Sequence, residues 1–405
     1  MKIALDTLGC KLNQAETESV TWQFIDAGHR IVERVDNADI YILNTCTVTA
    51  LADAKSRHMI RQAYHRNPGV FIVVCGCYVE REQKRVMQIP GVSLVIDNAN
   101  KPRMLSLLKE HIILKEYVPS SSETERSVNI RTRSFIKIQE GCNNHCSYCV
   151  VPQVRGHESS TPLPQVLETV QKRLSEGYKE IVLTGTNIGT YSDNGHNLQH
   201  LLESILVKTS ISRIRLSSLQ PQEITAELLS LWQDTRLCPH FHLSLQSGCD
   251  STLYRMKRRY SVKQYRDSVS MIRHLVPGAA ITTDIIVGFP GENDEEFEET
   301  YLTCKQLQFA RIHVFPFSPR PGTEAIKMTG MISDNIKKER CRKILTLADE
   351  STQHYRRLFK GTTRPVLWES RNSSGYWNGL TDNYINVKIR STEDLNNQIR
   401  LTLIE

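Results

Sequence analysis

Three thiols stand close together in the segment Gly141-Cys142-Asn143-Asn144-His145-Cys146-Ser147-Tyr148-Cys149. Thiolate is the form of cysteine that binds metal. Three thiolates in so short a loop, directly after a strand-like run, can hold one corner of an iron–sulfur cluster. One iron of a four-iron cluster is then left open to a substrate or cofactor, and no fourth cysteine lies nearby to close it. Zinc is the bland alternative. Short zinc motifs usually pair two Cys-x-x-Cys units or recruit histidine, and His145 shares the short loop with the thiols. A disulfide fits less well still in a reducing compartment.

The chain carries 11 cysteines in 405 residues. Cys10, Cys46 and Cys77 each fall just past a strand-like run: KIALDTLG, ADIYILNT and VFIVVCG. In a parallel sheet all such strand ends lie on one edge, which is where open α/β sheets bind ligands. The pattern alone leaves two readings open: three thiols gathered in space, or three unrelated buried cysteines. Cys75 falls inside its strand and reads as a small hydrophobe. Cys238, Cys249, Cys304 and Cys341 are scattered and read as structural.

Apolar periodicity gives the elements that must position these residues. Helical spacing at Val20, Phe24 and Ile25 predicts a helix over Glu16 to Ala27, and Ala50 to Asn67 reads as another. With the buried runs VFIVVCG and VSLVID, this strand–helix alternation implies a parallel sheet with helices on its faces. The polar stretch Ser120 to Ser127 reads as a linker. Six further strand candidates follow: FIKIQE, EIVLTG, RIRLSS, FHLSLQ, ITTDIIVGF and RIHVFPF. Helical segments separate them at Leu163 to Glu176, Ile224 to Trp232, Val262 to Leu275 and Glu295 to Leu307. Six such units fit a partial (β/α)6 barrel, with its active site at the strands' C-terminal ends. A helix from Asp334 to Phe359 carries the basic run Lys337, Lys338, Arg340, Arg342 and Lys343. After Gly361 the short strands PVLWES, GYWNGLTD, YINVKI and IRLTLIE predict a small β-barrel. The expected fold is α/β throughout the first two parts, with domains at 1–125, 126–359 and 360–405.

Composition sets the outer limits. Hydrophobic residues make up 40% and charged residues 23%, as in a soluble globular protein. No run of about 18 apolar residues predicts a membrane span, and the start MKIALDTLGC lacks the apolar core of a secretory signal. A cytoplasmic protein is expected, with no membrane partner. The formal charge of +7 permits an RNA partner without requiring one.

The CxxxCxxC spacing of CNNHCSYC resembles the radical S-adenosylmethionine superfamily. TLGCKLNQAETES, NTCTVT and CGCYVERE are similar to the N-terminal domain of its methylthiotransferases, so the resemblance covers essentially the whole chain. It implies two 4Fe-4S clusters: one on Cys142, Cys146 and Cys149, and an auxiliary one on Cys10, Cys46 and Cys77. Gly-Cys-Tyr selects Cys77 over Cys75. The first cluster would bind S-adenosylmethionine and cleave it reductively to a 5′-deoxyadenosyl radical, beside the aromatic ring of Tyr148. Further cofactor-pocket motifs are matched by LTGTNIGTY (Thr184, Gly185, with Thr186 where the superfamily usually has an acidic residue), HLSLQSG (Gln246), MKRRY and TTDIIVGFPGE (Asp284, Gly288). Ser218 is expected in the same pocket. The C-terminal segment resembles the TRAM module, an RNA-binding β-barrel. Trp368, Tyr376, Trp377 and Tyr384 could stack on bases, but forming the core is the default in so small a domain.

The resemblance also implies the reaction and its partners. One S-adenosylmethionine would methylate a sulfur on the auxiliary cluster; a second would yield the radical that takes hydrogen from C2 of an adenine. The partners would be a tRNA anticodon loop and a cellular electron donor, with no DNA. LGCKLNQAETE, NTCTVTALADAKSR and GCYVERE look most like the enzymes acting on N6-threonylcarbamoyladenosine. The alternatives are isopentenyladenosine in tRNA, an aspartate of a ribosomal protein, or a non-catalytic RNA-binding protein with a structural metal site. A threonylcarbamoyl carboxylate calls for cations. Arg155, Arg258, Arg259 and Arg320 in loops, and Lys55, Arg57, His58, Arg61 and Arg66 on the second helix, are candidates, as they are for a tRNA backbone. A solvated basic face is the alternative for each.

Overall fold

The computed structural model describes residues 1–111 and 132–405. The expected linker Ser120 to Ser127 lies outside the described residues. The chain divides into two compact units, Met1–Ile130 with Cys149–His157, and Arg131–Tyr148 with Glu158–Glu405.

The first unit runs β1 (Lys2–Thr7), α1 (Lys11–Asp26), β2 (Arg30–Val32), β3 (Ile40–Thr45), α2 (Ala50–Arg66), β4 (Phe71–Gly76), α3 (Cys77–Met87), β5 (Val92–Ile96) and α4 (Met104–His111), joined by α5 (Val151–Arg155). Its five strands are parallel in the order β2-β1-β3-β4-β5. Every residue of β3 is buried. Both faces of this central strand are covered, which is why IYILNT shows no alternation. Its side chains still divide by face. Tyr41 and Leu43 pack with Ile60, Ile72 and Val74, while Ile40 and Ile42 pack with Val20, Phe24 and Val73. α2 is capped by Thr49, whose side-chain oxygen accepts from the Ala52 amide at 3.1 Å, a first-turn N–H that has no partner one turn back in the helix.

The second unit opens with β6 (Arg133–Lys137) and two short antiparallel strands, β7 (Gln139–Glu140) and β8 (Ser159–Ser160). Next come α6 (Leu163–Ser175), β9 (Glu180–Thr184), the hairpin β10 (Ser192–Asp193) and β11 (His196–Asn197), α7 (Leu198–Lys208), β12 (Arg213–Leu216) and β13 (Ser218–Leu219). The chain continues through α8 (Ala226–Ser230), β14 (His240–Leu243), α9 (Asp250–Arg255), α10 (Val262–Leu275), β15 (Ala280–Val287), α11 (Asp294–Leu307), β16 (Arg311–Pro316) and α12 (Asp334–Leu358). Parallel sheets form in the orders β12-β9-β6 and β13-β14-β15-β16. One residue, Ser217, separates β12 from β13, and its amide donates to Leu183 O at 3.0 Å. Val166, Leu183, Leu202, Ile214, Phe241, Ile285 and Ile344 belong to one core.

Four antiparallel strands end the chain: β17 (Thr363–Arg371), β18 (Tyr376–Thr381), β19 (Asn386–Arg390) and β20 (Ile399–Leu403), in the order β19-β18-β17-β20. Trp368 and Trp377 are buried among Val366, Val387 and Leu395, so these two aromatics are core. Tyr384 lies flat on His240, ring centroids 3.9 Å apart. Tyr376 is exposed. Glu180, the first residue of β9, is fully buried between Arg213 (2.9 Å) and Arg215 (2.8 Å). Those arginines also donate to the carbonyls of Leu380, Thr381 and Asp382.

The helix expected over Ile224 to Trp232 is shorter, Ala226–Ser230 followed by one tight turn at Leu231–Gln233. Periodicity does not predict helices α3, α4, α5, α7 and α9. Among the described residues no helix is long and apolar enough to cross a membrane.

Candidate functional site

The first unit's strand order reverses between β1 and β3, and the crevice at such a switch point is where open α/β sheets bind ligands. Cys10 follows β1, Cys46 follows β3, and Cys77 is the first residue of α3 after β4. Two glycines let the turns close. Gly9 has φ +102°, and a Cβ there would meet Cys46 Cβ at 2.8 Å and Sγ at 2.9 Å. Gly76 has φ +96°, and a Cβ there would run into the Thr45 carbonyl. Neither position tolerates a side chain. Cys10 is exposed, and Cys46 and Cys77 are buried.

The three thiols feel one another. Burial pushes the Cys46 thiol up to about 12, and charge on Cys10 or Cys77 would raise it further. Burial also raises Cys77, opposed by the Arg155 guanidinium. Such thiols are neutral until a metal displaces their protons. Among the described residues, no three His, Cys, Asp or Glu side chains close around a single point as one ion would require. A four-iron cluster instead takes one thiolate per iron at separate corners, and three thiols on three adjacent turns of one sheet edge fit that demand.

A buried polar network backs this set. Asn13 Nδ2 donates to Leu8 O at 2.8 Å and to Thr45 O at 2.9 Å, tying together the turns that precede Cys10 and Cys46. Cys10 Sγ lies 3.8 Å from Asn13 Oδ1. Arg155 donates from Nε to Cys77 Sγ at 3.2 Å and from Nη2 to Asn13 Oδ1 at 2.5 Å, and it pairs with Glu16. Lys101 Nζ reaches Glu16 at 2.5 Å and Asn44 Oδ1 at 3.2 Å. Burial alone would raise the Glu16 carboxyl, but Lys101 and Arg155 together hold it at about 2.

The second cysteine set occupies an irregular loop after β7. Ser147, buried, anchors it: its amide donates to Met256 O at 3.1 Å, its hydroxyl to Arg255 O at 2.7 Å, and its carbonyl accepts from the Ala325 amide at 2.7 Å. Arg258 donates from Nη1 to Cys146 Sγ at 3.2 Å, from Nη2 to Gln220 Oε1, and from Nε to Tyr260 OH. Burial raises the Cys142 thiol. The Tyr148 ring meets Phe289 edge-on at 6.3 Å. Cys142 and Cys146 belong to the second unit, while Cys149 belongs with the first.

Several of the residues expected around a cofactor lie at or just past strand C-terminal ends, and others do not. Thr184 is the last residue of β9, Ser218 lies in β13, Gln246 follows β14, Asp284 lies in β15 and Gly288 follows it. Gly185 is needed because a Cβ there would meet Gln139 O at 2.7 Å, and Thr186 sits beside it, half-buried. Gln246 is the outlier: a non-glycine residue at φ 67°, locked by its amide to Asp284 O and its carbonyl to the Ile286 amide, both at 2.9 Å. Such strain persists where the surroundings over-determine it, and it clusters at ligand sites. Asp284 Oδ2 lies 3.1 Å from His242 Nε2.

The expected cationic residues are mostly committed elsewhere. Arg155 and Arg258 serve cysteine sulfurs, Arg57 donates to Tyr78 OH at 3.0 Å, Arg66 pairs with Asp36, and Arg320 is buried. Arg66 is exposed even so, as are Arg259 and, on α2, Lys55, His58 and Arg61. Sequence reasoning missed Asn13, Lys101 and the roles of Arg155 and Glu16. Asn13 and Glu16 lie in the quoted TLGCKLNQAETES motif, and that was their one signal.

The chain matches the radical SAM superfamily over residues 136–304 and uncharacterized protein family UPF0004 over residues 2–97. A threonylcarbamoyladenosine tRNA methylthiotransferase of Bacillus subtilis is 35% identical, covering 97% of this chain and 91% of that protein. The Aquifex aeolicus protein of the same description is 37% identical, with all of both chains covered. A tRNA-2-methylthio-N(6)-dimethylallyladenosine synthase of Thermodesulfovibrio yellowstonii is 32% identical over 96% of this chain and 93% of its own. Among solved structures, the radical S-adenosylmethionine methyltransferase TsrM of Kitasatospora setae shares the fold: TM-score 0.59 at 13% identity, covering 80% of this chain and 76% of that one. On full-length identity of this order and on its two cysteine sets, the chain belongs to the radical S-adenosylmethionine methylthiotransferase family.

Proposed function

We infer that this protein is a tRNA methylthiotransferase that adds a methylthio group to C2 of N6-threonylcarbamoyladenosine, next to the anticodon. The observation that carries the reading is the presence of two separate cysteine sets, one at a sheet's switch point and one in a loop at the start of a second parallel set, in a chain aligned end to end with tRNA methylthiotransferases. Its cofactors are two 4Fe-4S clusters and S-adenosylmethionine, which when bound supply reductive sulfonium cleavage, hydrogen abstraction from C2 and the methylthio group.

The protein's own work is placement. Cys142, Cys146 and Cys149 hold the cluster that cleaves S-adenosylmethionine, and Cys10, Cys46 and Cys77 hold the auxiliary cluster. Ser147 fixes the loop of the first set. Tyr148, Thr184, Gly185, Thr186, Ser218, Gln246, Asp284 and Gly288 frame the S-adenosylmethionine pocket. Their support is the position of Thr184, Gly185, Gln246 and Gly288 at or just past strand C-terminal ends, the contact of Gln246 with the Asp284 carbonyl, and the strained Gln246 backbone.

The parallel strands β6, β9, β12, β14, β15 and β16 serve as a partial (β/α)6 barrel, and the C-terminal antiparallel strands as a TRAM-like module. The domains are 1–125, 126–359 and 360–405. A cellular electron donor supplies the reductant, and the reaction belongs in the cytoplasm. The test is nucleoside mass spectrometry of tRNA incubated anaerobically with reconstituted protein, S-adenosylmethionine, sulfide and a reductant. Threonylcarbamoyladenosine gaining one methylthio group supports the reading. Unmodified tRNA with accumulating 5′-deoxyadenosine contradicts the substrate.

A further inference from the structure

We propose that Arg155 is the positioning residue of the N-terminal cysteine set and the hydrogen-bond donor that sets the reduction potential of the cluster it holds. The inference rests on the two-cluster reading above. Arg155 ends α5, and its segment packs in the first unit, with Val150 and Val154 against Cys77. Its guanidinium reaches Cys77 Sγ directly and Asn13 Oδ1 at the same time. Asn13 in turn holds the carbonyls of Leu8 and Thr45. One planar fork and one amide therefore touch all three cysteine-bearing turns. A planar five-donor group can do this; a lysine cannot.

Charge points the same way. Arg155, Lys101 and Glu16 have side chains only 3%, 3% and 7% exposed. Within this trio two cations face one anion, and the Arg155 Nε–H is aimed at the Cys77 sulfur. Buried charge is costly unless it is paired, and Glu16 pairs both cations, which holds the Arg155 Nε–H in place at the Cys77 sulfur. Hydrogen bonds to cluster sulfurs are among the levers that set reduction potential, and the groups behind a metal's ligands also tune how tightly it is held. Glu16 and Lys101 aim the donor; Arg155 supplies it.

The experiment uses full-length protein reconstituted anaerobically and titrated potentiometrically under EPR. The cluster missing from a Cys10→Ala/Cys46→Ala/Cys77→Ala variant identifies the N-terminal signal. Arg155→Gln should lower the midpoint potential of that cluster alone and speed its loss to a chelator about tenfold or more. Arg155→Lys keeps the buried positive charge and should show the same potential shift in smaller degree. Unchanged midpoint and unchanged chelator loss in both variants would overturn the proposal, as would equal shifts in both clusters. Wild-type protein holding about four irons instead of about eight would overturn the two-cluster reading itself, and the inference with it.

Discussion

Arg258 lies 112 residues beyond Cys146, yet its Nη1 donates to the Cys146 sulfur at 3.2 Å. The same guanidinium sits over the Tyr260 ring, 4.8 Å from its centroid, and reaches Gln220. A donor locked on both flanks holds a cysteine of a loop that has no regular structure of its own. Arg258→Gln is expected to lower 5′-deoxyadenosine formation about 10–100-fold while the circular dichroism spectrum stays that of wild type. A variant that cleaves S-adenosylmethionine at the wild-type rate contradicts this role.

Gly76 carries the turn that presents Cys77. With φ +96° and the Thr45 carbonyl where a Cβ would go, Gly76→Ala should cost about 1–3 kcal/mol. Thermal unfolding should show a Tm lower by several degrees, and reconstituted iron should fall toward about four per chain. Full iron content in this variant would mean that the turn does not set the cysteine.

Glu180 ties a strand start to the C-terminal sheet through Arg213 and Arg215. Burial would raise its carboxyl, but the two arginines hold it at about 2. A depressed carboxyl contributes stability that is present above the unfolded value, about 4.5, and is lost as pH falls from there toward about 2. Glu180→Gln removes the anion and leaves two buried cations, a loss of about 3–5 kcal/mol. Urea unfolding of wild type and variant at pH 7 and pH 3 should show the gap shrinking at the lower pH. A constant gap contradicts the linkage.

Lys55, His58 and Arg61 leave the exposed side of α2, close in sequence to Cys46. If this face meets the tRNA backbone, Lys55→Glu with Arg61→Glu should weaken tRNA binding several-fold. Its salt dependence should flatten by about one unit of slope for each phosphate no longer neutralised. Cleavage of S-adenosylmethionine without tRNA should not change. Filter binding across a salt series checks the first two effects, and an unaltered salt slope contradicts the placement.

The sequence made the N-terminal sheet legible because its strands are continuous apolar runs, and it placed Cys10, Cys46 and Cys77 at strand ends, where they are found. Helix α3 escaped because it begins on Cys77 itself and its residues are largely polar. The network behind the cysteines escaped for a different reason. Arg155 and Glu16 are 139 residues apart, and Lys101 and Glu16 are 85 apart, so no periodicity or local motif joins them. Read singly, Arg155 and Arg258 look like cations for an anionic substrate; in the fold each gives one donor to a cysteine sulfur and the others to neighbouring side chains. The C-terminal aromatics divide by burial, with Trp368 and Trp377 in the core and Tyr376 outside, a distinction that alternation alone could not draw for short twisted strands.

The central claim is that the two cysteine sets hold two clusters with separate duties. It is tested most directly by the Cys10→Ala/Cys46→Ala/Cys77→Ala variant, assayed for iron, 5′-deoxyadenosine and modified nucleoside together. The account predicts about four irons per chain in place of about eight, continued 5′-deoxyadenosine formation, and no methylthiolated threonylcarbamoyladenosine. Methylthiolated product from that variant would contradict it.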